Sequence, residues 1–376
     1  RPAVIVLALL FIAVLAETYS LNIGGMVYDE PLLYRNLGQG RFEDVSGELG
    51  DGGLPAGSSF IGPMVDLDSD GDLDLFVTQE FGSVHLKNLL YRNDGPVGDG
   101  VWIRWTEMTE TAQVDVPRSA MGVALLDVDS NGLMDLHVTN LYGSKPSREV
   151  LLQNEGAMVF TDVGEQLGAF AMTKDPELRY PRSVSWASIA FDIENDGDDD
   201  LYIAYGHFEP TPDYNINPGA YPPFLDGQAN ALLLNQDGQG FIDVAGACVS
   251  DTAQSRGAVA GDLNADGCID LVVINQTTPA RVFLNSCATS AHALELRLVG
   301  QASNRDAIGA QVRVDTVQKT QMKHVHGCST SVHSCEPKRL HFGLGAAEMA
   351  EVFIKWPSGQ EQTLSLSSGS HEVVEP

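Results

Sequence analysis

The sequence predicts an all-β protein, and three observations carry that reading. Four acidic, glycine-containing turns of one design recur along the chain. Between them recurs a second element that reads as strand, tight hairpin, strand. No amphipathic helical pattern of useful length competes. Modules of this kind bury both sheet faces only when arranged around one another, which predicts a β-propeller with four recognisable blades and a small β domain after it.

The turns are DLDSDGDLDL (66–75), DVDSNGLMDL (127–136), DIENDGDDDL (192–201) and DLNADGCIDL (262–271). Their starts set a module of about 65 residues. A strand rich in small residues precedes each turn, as in SAMGVALL and SVSWASIAF. An alternating or apolar strand follows, as in LDLFVTQ and IDLVVIN. The second element appears as LLYRNLGQGRFEDV (32–45), NLLYRNDG (88–95), VLLQNEGAMVFTDV (150–163) and ALLLNQDGQGFIDV (231–244), with RVFLNS (281–286) as a partial copy. Each module therefore calls for four short antiparallel strands. The first LLYRN and RFEDV lack an upstream turn; they either complete the last module or are the remnant of another blade.

In D-x-D-x-D-G-x-x-D, positions one, three and five aim side-chain oxygens into one concavity. Position six needs glycine for the sharp turn, position seven offers its carbonyl, and position nine closes the shell. Loop one supplies Asp66, Asp68, Asp70 and Asp74, with the Asp72 carbonyl. Loop two supplies Asp127, Asp129, Asn131 and Asp135, with the Leu133 carbonyl. Loop three supplies Asp192, Glu194, Asp196 and Asp200, with the Asp198 carbonyl. Loop four supplies Asp262, Asn264, Asp266 and Asp270, with the Cys268 carbonyl. Oxygen-only ligation selects a hard cation, so Ca2+ is the expected cofactor. Asn131 and Asn264 lower the ligand charge, which predicts that loops two and four are the weaker sites.

At these residues the modules resemble FG-GAP/VCBS repeats. The tail segments ALELRLVG (293–300), NRDAIGAQVRV (304–314), RLHFGLG (339–345) and EVFIKWPSG (351–359) resemble the ASPIC/UnbV domain. Repeats followed by that domain are the layout of the cartilage acidic protein family. The resemblance implies a secreted calcium-binding protein engaged in matrix or cell-surface interaction. Read from the residues alone, the tail is still a small β domain, because ALELRLV and QVRVDT alternate with period two. The expected division is a propeller over 30–288 and the β domain over 289–376.

Composition narrows the function classes. Lys plus Arg number 22 against 51 Asp plus Glu, a formal charge of −29. Such a surface repels phosphate backbones and anionic membranes, which excludes general nucleic-acid binding. No phosphate loop, dinucleotide fingerprint, G-x-S-x-G elbow or H-E-x-x-H motif occurs, so no nucleotide partner is expected. An apolar run from Ala3 to Ala16 is shorter than the roughly 20 residues of a bilayer span. Val14 and Ala16 fit cleavage before Glu17, so residues 1–16 read as a signal peptide, with an N-terminal anchor or a buried strand pair as alternatives. Export favours disulfides, and Cys328 and Cys335 are close enough to bridge a hairpin loop. Pairing among Cys248, Cys268 and Cys287 does not follow from spacing.

Three further segments invite a functional reading. The tract 324–341 places His324, His326 and Cys328 at period two, a pattern able to present a soft metal site. It reads better as a loop pinned by Cys328 and Cys335 whose histidines are surface or packing residues; His341 sits in the HFGLG signature. The insertion 206–229 carries Phe208, Tyr214, Tyr221 and Phe224 among prolines, which suits either an extracellular protein or glycan partner or a cover for a neighbouring blade. Asn275-Gln276-Thr277 is a glycosylation sequon. The function expected is an exported calcium-binding interaction or adhesion module without catalysis. The alternative is an extracellular polysaccharide hydrolase or lyase on the same scaffold.

Overall fold

The computed structural model describes residues 31–49, 54–55, 59–79, 87–96, 103–115, 120–140, 148–171, 184–206, 229–287 and 291–376. The apolar run at 3–16 and nearly all of the aromatic insertion at 206–229 lie outside these residues. The fold is all-β; among the described residues the helical pieces are two single-turn α-helices, α1 (Gly164–Leu167) and α2 (Ala245–Cys248), and a 3-10 turn at Ser46–Glu48. No helix among the described residues is long and apolar enough to cross a membrane.

An N-terminal antiparallel pair comprises β1 (Tyr34–Gly38) and β2 (Arg41–Asp44). Module one is a sheet of β3 (Met64–Val65), β4 (Asp74–Val77), β5 (Leu89–Asn93) and β6 (Trp105–Glu107), in that order. Module two runs β7 (Val123–Leu126), β8 (Asp135–Val138), β9 (Val150–Asn154) and β10 (Phe160–Asp162). Module three runs β11 (Val184–Phe191), β12 (Asp200–Gly206), β13 (Ala231–Asn235) and β14 (Phe241–Asp243). Module four has β15 (Ser255–Gly261), β16 (Asp270–Asn275) and β17 (Arg281–Phe283). In every module the acidic turn joins the first strand to the second. Three modules have the expected four antiparallel strands; the fourth has three among the described residues, because its third strand is not followed by the hairpin glycines and fourth strand of the repeat.

The modules pack face to face in chain order. Leu67 and Leu90 of module one share a core with Leu136 and Leu152 of module two. Leu126 and Val128 pass on to Leu201 and Leu233 of module three, and Ile189 and Phe191 to Leu271 and Val273 of module four. The N-terminal pair packs on module one, through Leu33 and Val45 against Leu75 and Trp105, so it does not complete module four.

The remaining strands are β18 (His292–Val299), β19 (Gln311–Asp315), β20 (Thr320–His324), β21 (Arg339–Gly345), β22 (Met349–Lys355), β23 (Glu361–Ser367) and β24 (Gly369–Val374). They form a three-stranded sheet, β21-β18-β24, and a four-stranded sheet, β20-β19-β22-β23, around a core centred on Phe342, Ile354 and Trp356. Only β18 and β24 pair in parallel among the strand pairs described. Alternation of buried and more exposed residues along β18, with Leu294, Leu296 and Leu298 inward, is the period-two pattern legible in ALELRLV.

The Cys328–Cys335 disulfide forms. Its loop reaches the first strands of three successive modules. The Val123 N–H donates to the Ser329 carbonyl at 2.9 Å and the Ser188 N–H to the Thr330 carbonyl at 3.3 Å. Ala258 N–H donates to Ser334 Oγ at 3.3 Å, and the His333 ring meets Trp186 edge-on at 5.8 Å. The tract is therefore a packing element, and the soft-metal alternative fails. Strand β20 ends at His324, so His326 and Cys328 do not continue its face, and the Cys328 sulfur is consumed in the disulfide. Asn275 is likewise buried, its carboxamide bonded to Asp251 and Ser255, which removes the sequon from the surface.

Candidate metal centres

The four acidic turns share one backbone. Position four takes a left-handed conformation at Ser69 (φ 65°), Ser130 (58°), Asn195 (60°) and Ala265 (60°). Position six does so at Gly71 (104°), Gly132 (85°), Gly197 (93°) and Gly267 (84°). Two reversals in three residues fold the turn into a cup, and glycine relieves the more strained of them.

Positions one and nine are fixed by main-chain donors. One oxygen of Asp66, Asp127, Asp192 and Asp262 accepts the position-six N–H, at 2.9, 2.9, 2.7 and 2.8 Å. Position nine holds both oxygens in bonds. Asp74 accepts the N–H of Leu67 at 2.8 Å and of Asn93 at 2.9 Å. Asp135 accepts from Val128 and Asn154, Asp200 from Ile193 and Asn235, and Asp270 from Leu263 and Asn285. The last aspartate thus clamps the turn to the end of the third strand. Those strand-end asparagines stood in LLYRN, VLLQN, ALLLN and RVFLN, but their role was not read from the sequence. The signal was their invariance of position among the four copies.

Two loops gather three ligands. One carboxylate oxygen each from Asp66, Asp68 and Asp74 lies within 4.8 Å of the others, and the same holds for Asp127, Asp129 and Asp135. Asp70 stands outside the first group, its Oδ1 accepting the N–H of Asp72, and Asn131 Oδ1 accepts the N–H of Leu133. Loops three and four make no such group among the described residues. In loop three Glu194 leaves one buried oxygen without a partner, and both oxygens of Asp200 are taken by main-chain N–H groups. Asp198 meets Lys319 Nζ at 3.4 Å and the Asp237 N–H at 2.8 Å, while Asp196 Oδ1 accepts the Asp198 N–H. In loop four Asn264 Nδ2 donates to Asp266 at 2.9 Å, and Cys268 is bonded to Cys287.

Burial leaves these carboxylates poorly solvated. It pushes Asp66 and Asp127 up to about 6, Asp74 and Asp135 up to about 8, Asp192 and Asp198 to about 7, and Asp200 to about 9. Neighbouring acids add to the rise at each. Asp66 Oδ1, Glu194 Oε2 and Asp198 Oδ1 are buried without a hydrogen-bond partner. Orphaned acceptors of this kind are costly unless a cation meets them. The residue set of loop one, hard oxygens around such an acceptor, fits a divalent ion.

The C-terminal sheets close over loops one and three. Gln311 Nε2 donates to Asp66 Oδ2 at 2.5 Å. Lys323 Nζ pairs with Asp199 at 2.6 Å, His341 Nε2 meets Asn195 Oδ1 at 2.7 Å, and the Gly345 N–H donates to the Asn195 carbonyl at 2.8 Å. A Cβ on Gly343 would stand 1.9 Å from Asp192 Oδ2, so the HFGLG segment lies flush on loop three. None of these C-terminal residues was anticipated as part of the acidic sites.

Fold and site together define an all-β protein of acidic-turn repeats with a C-terminal β region, and comparison with known proteins agrees. Residues 66–138 match the FG-GAP-like repeat, and residues 300–374 match ASPIC and UnbV. The chain is similar to Cartilage acidic protein 1 of Homo sapiens, 25% identical over 341 residues, covering 88% of this chain and 45% of that protein. It is similarly related to Cartilage acidic protein 1 of Xenopus tropicalis, 26% identical over 342 residues, covering 88% and 46%. The chain therefore spans about half the length of these relatives. A mutant of AofleA from Arthrobotrys oligospora, at 10% identity and a TM-score of 0.30 over 84% of this chain and 91% of that one, carries no argument about the fold.

Proposed function

We propose that this is an exported calcium-binding protein whose repeat sheets are blades of a β-propeller over 30–288, with an interaction domain over 289–376. The observation that carries the reading is loop one. Three carboxylates converge there around a buried oxygen of Asp66 that no protein group satisfies. Calcium would supply the missing positive charge and take hard oxygens from Asp66, Asp68 and Asp74 in loop one, and from Asp127, Asp129 and Asp135 in loop two. The strand-end Asn N–H groups and the position-six glycines hold those carboxylates in place. Loop two joins loop one as a leading site, against the weaker binding its Asn131 suggests, because its three aspartates are already gathered. In loop three Lys319 and Lys323 already supply positive charge near the acids, which lowers its appetite for an ion.

Export is supported by two disulfides, Cys268–Cys287 and Cys328–Cys335, and by the apolar run at the chain start. The activity proposed is binding of an extracellular protein or glycan, in keeping with the similarity to Cartilage acidic protein 1. Calcium stiffens the repeats so that their connecting loops present a fixed surface.

The test is elemental analysis of the purified protein with calcorimetric calcium titration, followed by thermal unfolding with calcium and with chelator. At about 100-fold saturation one independent site adds roughly 2.7 kcal/mol. Two leading sites raise Tm clearly, and replacing Asp66 and Asp127 with Ala removes most of the rise. A Tm indifferent to chelator after confirmed stripping of metal refutes the calcium reading.

A further inference from the structure

Loops one and two gather the same three carboxylates, yet the first aspartate of each is held differently. In loops two, three and four both oxygens of that residue are taken within the turn. Oδ2 accepts the position-six N–H, and Oδ1 accepts the position-five N–H: Asn131 donates to Asp127 at 3.0 Å, Asp196 to Asp192 at 3.1 Å and Asp266 to Asp262 at 3.2 Å. Loop one breaks the rule. The Asp70 N–H goes to Asp68 Oδ1 instead. Asp66 Oδ1 is left without a partner, although Asp66 is only 2% exposed.

The exception coincides with a contact from the C-terminal sheets. Gln311, 245 positions further along the chain, places Nε2 on Asp66 Oδ2, which already holds the Gly71 N–H. Two donors on one oxygen pin the carboxylate while the other oxygen stays bare. The same sheet covers the turn around this bond. Gln311 and Lys355 are partners in the register of β19 and β22. A Cβ on Gly71 would lie 3.5 Å from Lys355 Nζ, and one on Gly309 would lie 3.8 Å from Leu73 Cδ2. Loop two has a comparable amide, Gln153 Nε2 on Asp129, but Gln153 belongs to the loop's own module. Loop three meets the C-terminal sheets through Lys319 and Lys323, cations paired with Asp198 and Asp199 that compete with an ion. The group on Asp66 is a neutral carboxamide, which does not.

We propose that Gln311 is the positioning residue of loop one, and that calcium binding there is coupled to the seating of the four-stranded C-terminal sheet on module one. The proposal rests on the calcium reading of loop one. With Gln311 in place, Asp66 Oδ1 is available to the ion. Without it, Asp66 is free to take the Asp70 N–H on Oδ1 as the other copies do, and an ion must then break that bond. The coupling is reciprocal: the factor by which the seated sheet raises calcium affinity is the factor by which bound calcium favours seating. A hydrogen bond to an ionised carboxylate sets that factor at about ten or more. Calcium in loop two acts within the repeats and leaves the C-terminal sheet alone.

The test is calorimetric calcium titration joined to amide exchange, on the full chain carrying Asp127→Ala so that loop one is the leading site. Gln311→Ala and Gln311→Glu are compared in that background, their folding checked by circular dichroism. Gln311→Ala is expected to weaken calcium binding at least about tenfold. In the parent, calcium slows exchange in the segments around Gln311 and Lys355 by a similar factor; in Gln311→Ala it leaves their exchange unchanged. Gln311→Glu, close in shape, sets a like charge on Asp66, so these segments exchange faster in chelator and recover protection when calcium is added. Calcium bound as tightly by Gln311→Ala as by the parent overturns the coupling while the calcium reading stands. So does exchange around Gln311 and Lys355 that is indifferent to calcium in the parent, or that Gln311→Ala speeds equally with calcium and with chelator. A parent that binds no calcium overturns both readings together.

Discussion

Asn154 and Leu67 lie 87 residues apart, yet the Asn154 carboxamide donates to the Leu67 carbonyl at 2.8 Å and ties module two to the acidic turn of module one. The same side chain donates to the Met134 carbonyl and accepts the Gly156 N–H. Its backbone N–H clamps Asp135. One residue thus couples a turn, a hairpin and a neighbouring sheet.

Asn154→Ala removes all the side-chain bonds and leaves buried carbonyls unpaired, at about 2–3 kcal/mol. Asn93 makes the equivalent bonds only within its own module, to the Leu73 carbonyl and the Gly95 N–H. Asn93→Ala is therefore expected to cost less. Urea unfolding of the two variants with calcium present measures the difference; equal losses would show that the contact between modules contributes nothing.

The disulfide loop offers a second test. Paired replacement of Cys328 and Cys335 by Ser frees a short loop that meets modules two, three and four. The chain-entropy account gives about 2–3 kcal/mol for a loop of this length. Amide exchange at Val123 and Ser188, which donate to that loop, accelerates before exchange in β22 and β23 of the C-terminal sheets. Unchanged protection at Val123 and Ser188 would mean that the loop only covers them.

The sequence made the repeats legible because a two-residue period and a fixed turn leave the same mark in each copy. It also held information that period and motif do not extract. Cys287 stands two residues after Asn285, as Gly95 and Gly156 stand after Asn93 and Asn154. In the earlier modules the side chain at turn position seven comes close to that site, Asp72 to Gly95 and Leu133 to Gly156. Cys268 and Cys287 fill the same two places with a covalent bond. Aligning the repeats pairs these cysteines where spacing alone does not. The contacts of Gln311, Lys323 and His341 were not legible. They join residues more than a hundred positions apart, and nothing local marks a lysine or glutamine as facing a distant acid.

Gly343 tests that junction. A methyl group there collides with Asp192 Oδ2 and with the Asn195 backbone, at 1.9 Å and 2.4 Å from the added carbon. Backbone cannot yield as a flexible side chain does, so Gly343→Ala costs about 3 kcal/mol or parts the C-terminal sheets from loop three. Limited proteolysis between modules and C-terminal sheets, together with Tm, reads both outcomes. Gly327→Ala, with open space around its added carbon, is the matched control and is expected to be neutral. Equal behaviour of the two would mean that the C-terminal sheets do not rest on loop three in solution.

The final prediction concerns protons and calcium competing for the same oxygens. In the folded chain burial raises Asp66 and Asp127 to about 6 and Asp74 and Asp135 to about 8, from about 3.9 in the unfolded chain. A raised carboxylate pKa favours the folded state when the group is protonated. The metal-free protein is therefore most stable below about pH 4 as far as these groups are concerned, and it loses that contribution as pH rises through about 6 and then about 8. Bound calcium reverses the trend, because it requires the ionised form and neutralises it in place. Chelator-treated protein is expected to show a Tm that falls between about pH 5 and about pH 8. The interval between calcium-loaded and chelated Tm widens over the same range, since protons no longer exclude the ion. Differential scanning calorimetry at matched ionic strength measures both curves. A chelated Tm that rises toward pH 8, or a calcium increment that shrinks there, would show that these aspartates are already ionised and balanced by the protein's own donors.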